Sequence, residues 1–383
     1  MDKNHSKGTA RFIISSQYFL YFGVLGIFLP YFNLYCYHLG FDGFQIGTLS
    51  ALKSAVVIFF SLMWGGLADH FQIRRPIYIL CNFASAGICA FYLLTGDFYL
   101  MLVITLCRAI FSGPIISFLE AFTMDGLGEE KRNYGKIRVW GSVSFIACSV
   151  IFGKMIDLFS PEIILIPIFA GSLTLAVFAL GIPRVTVSGK TSFFGGAKLL
   201  FKKKVVCFLI CAFLMLMSHG AYYGFFSIHL ENLGHKSMFI GIAWALATLS
   251  EILVMVNSDK IFGRFSLESI LLFSLAMAAL RWFVLFLSSS PVIILISQLS
   301  HAFTYGTFHI ASILYIDLLT PAQAKTTGQT VNNAVTYGLG MMVGFFMNGY
   351  LYEHMDSSGG LFMVSALIAL AGCLMLLVSK IGD

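Results

Sequence analysis

The chain has 383 residues, 58% hydrophobic and only 11% charged, with 39 phenylalanines and a formal net charge of +6. A soluble domain is roughly 45–50% apolar and 25% charged, so that class is excluded. The small positive excess requires no nucleic-acid partner. Twelve apolar stretches of about 20 residues or more follow one another, near residues 12–36, 46–66, 76–95, 98–123, 137–157, 161–182, 204–230, 238–257, 267–287, 290–318, 329–352 and 359–379. As helices they are long enough to cross a hydrocarbon core of roughly 30 Å. They are apolar all round and do not alternate with period two, which argues against a membrane barrel and predicts an all-α bundle. The first stretch is too long for a cleaved signal peptide and lacks a small-residue cleavage site.

Charges between the stretches set the expected orientation. With the N-terminus in the cytoplasm, 18 Lys and Arg lie inside, among them Lys3, Lys7, Arg11, Arg74, Arg75 and the run Lys202, Lys203 and Lys204; only Lys154 and Lys236 lie outside. Basic residues accumulate in cytoplasmic loops, so both termini are expected there, in a bacterial-type inner (plasma) membrane. The longest hydrophilic connection, 186–204, is expected to be a basic linker near anionic headgroups. It would join a bundle at 1–185 to a second at 205–383. The eight cysteines show no metal-ligand clustering, so no metal, disulfide or cofactor is expected.

The chain also repeats itself. Gly40 and Gly47 fall on Gly234 and Gly241 at an offset of 194, while "LCRAIFSG" (106–113) falls on "LSHAFTYG" (299–306) and Gly135 on Gly328 at 193. A half-chain repeat in so apolar a sequence predicts two similar six-helix bundles, an arrangement typical of carriers.

Once the cytoplasmic and periplasmic charges near the stretch ends are set aside, six ionised groups remain inside: Lys53, Arg108, Glu120, Arg138, Glu251 and Arg281. Each costs roughly 2.5–3.5 kcal/mol at a helix centre, on the order of 15–20 kcal/mol together, which exceeds the stability of most domains. They must pair or line a wet cavity. Helical phase points the same way, because His301, Tyr305, His309 and Ser312 share one face, Trp244, Thr248 and Glu251 another, and His219, Tyr222, Tyr223 and Phe226 cluster along the seventh stretch. Four cations against two carboxylates favour an anionic ligand, since a neutral one leaves cations uncompensated in low dielectric. Gly338, Gly340 and Gly344 permit close helix approach or a bend, and Asn332, Asn333 and Thr336 are within reach of the cavity or of a neighbouring helix.

Two loops carry a resemblance. "GGLADHFQIRR" (Gly65 to Arg75) resembles the cytoplasmic signature of the major facilitator superfamily, and "SDKIFGR" (Ser258 to Arg264) resembles its degenerate second copy. The likeness implies that Asp69 and Asp259 accept from backbone N–H groups and pair with basic residues across the half interface, with Gly65 and Arg74 in the same signature. "FLEAF" (118–122) followed by "YGKIRVWG" (134–141) resembles the substrate-holding glutamate and arginine of the branch that contains lactose permease, and three further stretches, "SHGAYYGFFSIHL", "GIAWALATLSEIL" and "HAFTYGTFH", resemble the phenylpropionate permease. By that resemblance Glu120 is paired with Arg138, and Glu251, Arg281 and His301 stand where the branch handles substrate or proton.

The departures limit what is inherited. Thr304 stands in place of a proton-handling glutamate, Tyr337 of a lysine, His219 and Tyr222 of acidic residues, and Phe145 of a sugar-stacking tryptophan. The expectation is a monomeric secondary transporter that takes up a small organic substrate with protons by alternating access, the substrate an aromatic or other carboxylate. Arg138 and Arg281 would hold it, and Phe145, Tyr222, Tyr223 and Trp244 would pack its body. Glu251 is the first candidate for the proton and His301 the second; Lys53, Arg108, His219, Tyr305, His309, Asn332 and Tyr337 are further cavity candidates. The alternatives are symport of a neutral sugar or nucleoside, proton-driven export, which the absence of proline from the fifth stretch argues against, and a non-transporting receptor. No nucleophile, base and oxyanion arrangement can be assembled, so an enzyme is not expected.

Overall fold

The computed structural model describes residues 3–183, 202–321 and 324–381. Among them there is no strand. We number the long helices α1 (Lys3–His38), α2 (Gly43–Phe71), α3 (Arg74–Leu93), α4 (Phe98–Leu127), α5 (Tyr134–Leu158), α6 (Pro161–Ala179), α7 (Lys203–Asn232), α8 (Ser237–Val256), α9 (Leu267–Leu287), α10 (Pro291–Leu319), α11 (Lys325–Asn333 continuing through Ala334–Gly340 and Met341–His354) and α12 (Gly360–Ile381). Each predicted stretch is a helix. Eleven are long and apolar enough to span a membrane by themselves; α11 is not among them, opening on the polar run "KTTGQTVNN" and carrying several glycines, tyrosines and Asn348 beyond it. Most of the expected linker, residues 186–201, lies outside the described residues.

The chain divides into two compact units, Met1–Phe41 with Leu52–Lys190 and Lys236–Ile242, and Asp42–Ala51 with Thr191–His235 and Ala243–Asp383. The sequence repeat is visible in the backbone, because Gly40 and Gly234 take φ of +86° and +83° after α1 and α7, a left-handed conformation that a side chain resists. Gly47 and Gly241 repeat as close-approach points. A Cβ on Gly47 would stand 2.6 Å from the Phe345 carbonyl oxygen, and one on Gly241 would clash with that of Ser149.

In the first unit, α1 and α5 touch backbone to backbone at Gly26, where a Cβ would lie 2.6 Å from the Phe145 oxygen. A buried polar chain ties three helices: Tyr78 of α3 donates to Gln17 of α1 at 2.7 Å, and Gln17 donates to the Leu175 carbonyl of α6 at 3.1 Å. Around it pack Ile14, Tyr18, Leu119 and Phe122. Helix α4 is interrupted at Gly113–Pro114. Proline has no N–H for the carbonyl four residues back, and that carbonyl, Ile110, instead accepts from the Trp64 indole at 3.0 Å.

In the second unit, α7 breaks at His219, and a Cβ on the next residue, Gly220, would stand 2.5 Å from Gly344 of α11. Both α10 and α11 contain π-helical segments, Ala302–Thr307 and Ala334–Gly340, an irregularity often found at functional sites. Asn332 is fully buried and joins these two helices, donating to Ser312 at 3.0 Å and accepting from Thr336 at 3.1 Å. It is a helix tie.

Trp64→Phe should leave the Ile110 carbonyl without its donor and cost about 1–3 kcal/mol, whereas Trp64→Phe combined with Pro114→Ala restores an N–H at the right place. Thermal unfolding of the purified protein in detergent should show the single variant below wild type and the double variant recovered; equal loss in both would contradict this account of the break.

Candidate functional site

The densest polar cluster lies in the second unit, where α7, α8, α9 and α10 meet. Arg281 of α9 is 2% exposed and donates to Gln298 Oε1 at 2.7 Å, to Thr304 Oγ1 at 3.3 Å and to His301 Nδ1 at 2.6 Å. Guanidinium nitrogens only donate, so His301 Nδ1 must accept and the proton sits on Nε2. That nitrogen faces Glu251 Oε1 of α8 at 2.9 Å. Arg281, His301 and Glu251 thus form one directed hydrogen-bond chain, with Glu251 at its more exposed end, 26% against 4% for His301. The Tyr223 hydroxyl stands 3.5 Å from the same imidazole nitrogen.

Aromatic rings enclose this chain. The Arg281 guanidinium lies 4.4 Å from the Tyr222 ring centre and 4.6 Å from that of Trp282. Tyr222 packs on Trp244 at 4.7 Å, and Trp244 and Trp282 donate their indole N–H groups to Ser227 and Ser218. Charge-assisted hydrogen bonds contribute about 1.5–3 kcal/mol each and cation–π contacts about 0.5–2 kcal/mol, so together they offset the burial of Arg281. Tyr222 is fully buried and acts as a wall of the cluster. His219 Nδ1 donates to the Met215 carbonyl at 2.8 Å, and its ring stands edge-on to Trp282. Along α10, His301, Tyr305 and His309 stack at 5.4 and 6.2 Å, and His309 Nδ1 meets the Tyr337 hydroxyl of α11 at 2.5 Å.

The first unit is organised differently. Glu120 and Arg138 make no direct ion-pair contact among the described residues, although the charge of Arg138 is felt at Glu120. The Arg138 guanidinium instead lies 3.8 Å from the Phe22 ring centre and 5.6 Å from Tyr18, and Glu120 is exposed. Helix α5 begins a new turn after the Gly128–Asn133 segment, so an 18-residue separation does not fix a common face. Phe145 is 5% exposed, with its backbone against Gly26. Lys53 of α2 and Arg108 of α4 approach one ring, Phe28 of α1, at 4.6 and 4.9 Å. They line a cavity of about 250 Å³ inside this unit.

The signature loop carries ion pairs within its own unit. Arg74 bridges Asp69 at 3.0 Å and Asp125, at the end of α4, at 3.1 Å. Arg75 donates to the Leu180 and Ile182 carbonyls beyond α6 at 2.6 and 2.8 Å. Gly65 has open space around it, and Asp259 lies in a one-turn helix, Ser258–Phe262.

Residues 12–364 match the model of the MFS_1 like family. The chain belongs to this family. It is 27% identical over 92% of its length, and 93% of the relative's, to a probable 3-phenylpropionic acid transporter of Escherichia coli (strain K12). It is also 25% identical, over 94% of its length and 92% of the relative's, to a maltose permease of Geobacillus stearothermophilus. The fold matches a crystal structure of the nucleoside transporter NupG with a TM-score of 0.83, covering 96% of this chain and 98% of that one at 18% identity. The MFS_1 like chain is therefore an integral membrane secondary transporter of a small molecule, and the resemblance read in its loops is borne out.

Sequence reading of this MFS_1 like transporter missed Gln298, Trp282 and Phe28. Gln298 lies one turn before His301 on α10 and was detectable by phase. Phe28 carries no signal, being one apolar residue among many in α1. Replacing Arg281 by Met should leave Gln298, His301 and Glu251 with unmatched polar groups and cost about 3–5 kcal/mol. Arg281→Lys should recover less than half, because an ammonium lacks the planar fork that reaches Gln298 and His301 together. Unfolding temperatures in detergent measure both, and a Lys variant as stable as wild type would contradict the bonding described.

Proposed function

We propose that this transporter carries a small organic anion, an aromatic carboxylate, together with a proton, and that it works in the direction of uptake. The observation that carries the reading is the directed chain from Arg281 through His301 to Glu251. Empty, the fixed charges of Arg281 and Glu251 cancel. A proton on Glu251 removes its negative charge and its demand on the His301 N–H, leaving Arg281 with a net positive charge that a substrate carboxylate can neutralise.

The empty and doubly loaded clusters are both neutral. A half-loaded one carries net charge in a poorly solvated place, where an unmatched charge forgoes about 4 kcal/mol of attraction at 4 Å and an effective dielectric of 20. The carrier therefore moves either with both ligands or with neither, giving one proton per monocarboxylate and no net charge transfer. Tyr223 and Trp244 would pack an aromatic body. The identity to a probable 3-phenylpropionic acid transporter supports this substrate class, and the 18 to 2 division of loop cations supports cytoplasmic termini. Symport of a neutral sugar is the second reading, favoured by the maltose permease relative; it would leave the protonated cluster with its positive charge.

In proteoliposomes, a pH step of one unit should concentrate labelled 3-phenylpropionate about tenfold, independently of membrane potential. Glu251→Gln should abolish that accumulation while retaining exchange of labelled for unlabelled substrate. Uphill accumulation undiminished in Glu251→Gln would sink the proton assignment, and uptake of maltose with none of the carboxylate would sink the substrate class.

A further inference from the structure

The Arg281 cluster is matched internally; Lys53 and Arg108 of the first unit make no ion pair among the described residues. Lys53 and Arg108 both approach the face of Phe28 and both line the 250 Å³ cavity, whose walls contain no carboxylate among the described residues. The charge felt most strongly at Lys53 is that of Arg108, another cation. Their one shared compensation among the described residues is the ring quadrupole of Phe28, which is weaker than an ion pair.

The remaining polar wall is also incompletely used. Among the described residues, the buried Nε of Arg108 has no protein partner, and neither has Oδ1 of Asn82, a residue 2% exposed whose amide nitrogen is committed to the Tyr78 carbonyl at 2.8 Å. Ser85, Ser112 and Ser172 add hydroxyl groups, and the rest of the lining is aliphatic and aromatic. The cavity far exceeds the roughly 10–15 Å³ that one water needs and lies just under the roughly 300–1,000 Å³ of drug-sized pockets. Those dimensions suit a small organic acid: a carboxylate between two cations and an apolar body against the aliphatic wall. At Gly113, part of the cavity wall, α4 packs tightly on α2, since a Cβ there would stand 2.9 Å from the Val57 carbonyl.

We propose that Lys53, Arg108 and Phe28 form an anion-binding site inside the first unit that takes a small monocarboxylate with an apolar body. Its position rests on the two unmatched cations; its choice of ligand rests on the reading of the transported solute as an organic anion. Lys53 and Arg108 hold the carboxylate, Phe28 fixes the two cations over one ring, and the serines accept or donate at the rim.

The test is equilibrium binding of labelled 3-phenylpropionate to the purified full-length protein, with 3-phenylpropanol, chloride and inorganic phosphate as competitors. Two binding sites are expected, and Lys53→Gln and Arg108→Gln should each weaken one of them by about ten- to a hundredfold, the loss expected for one charge-assisted hydrogen bond, and leave the one at Arg281, while Lys53→Arg stays within a few fold. Each neutral variant should also unfold at a higher temperature than ligand-free wild type, because one of two repelling charges is gone; a merely structural lysine or arginine would lower it. The alcohol should not compete.

Wild-type affinity in both neutral variants, with binding lost in Arg281→Lys instead, would overturn the cavity site and leave the carrier reading intact. Binding of chloride or phosphate with the same Lys53 dependence, and none of 3-phenylpropionate, would overturn the organic acid as ligand. Transport of a neutral sugar alone would sink the carrier reading without altering these titrations.

Discussion

Removal of charge from water is the constraint on which the rest of this protein depends. A group such as Arg281 would be intolerable at the middle of a helix bundle if it stood alone, and the second unit is arranged around its three polar partners and two rings. Because the guanidinium can only donate, one decision propagates outward: the tautomer of His301 is set, and with it the atom that faces Glu251. A single permanent charge thereby determines where a mobile one can reside.

The same constraint acts on the backbone. Where α4 loses an N–H to Pro114, a tryptophan side chain from α2 occupies the stranded carbonyl. Where α10 and α11 leave regular winding, their side chains compensate, through Ser312, Asn332 and Thr336 and through the His309–Tyr337 contact. His301 stands immediately before the π-helical segment of α10, and the glycine crossings at Gly26 and Gly220 bring neighbouring backbones into contact.

Much of this was legible in the sequence, for identifiable reasons. Helix number and position follow from apolar runs, and the turn glycines Gly40 and Gly234 follow from the repeat. Glu251, Arg281 and His301 were conspicuous because charge inside an apolar run is costly and so rarely idle. A direct contact of Glu120 with Arg138 was not legible because it depends on side-chain direction across a turn, and the guanidinium lies over Phe22 while its charge still reaches Glu120. Phe28 was invisible for the opposite reason: its importance lies entirely in what approaches it. Helix α11 was marked correctly although its polar opening and its later glycines, tyrosines and Asn348 make it less apolar than the other spans.

The offset that aligns the two halves places Arg108 on His301 and Gly113 on Gly306. In α4 that stretch ends in the break at Pro114, and in α10 it is the π-helical segment. Both copies of the repeat therefore interrupt the corresponding helix at the same point of the sequence, with a nitrogen-rich side chain just before the interruption. Seen as the products of one duplication, the two places are sister sites that have diverged in charge. One copy has kept a base that is permanently ionised, and the other holds one whose ionisation its neighbours govern. A carrier of this kind would have acquired its division of labour between ligand and proton by altering one residue type at a position it already possessed twice.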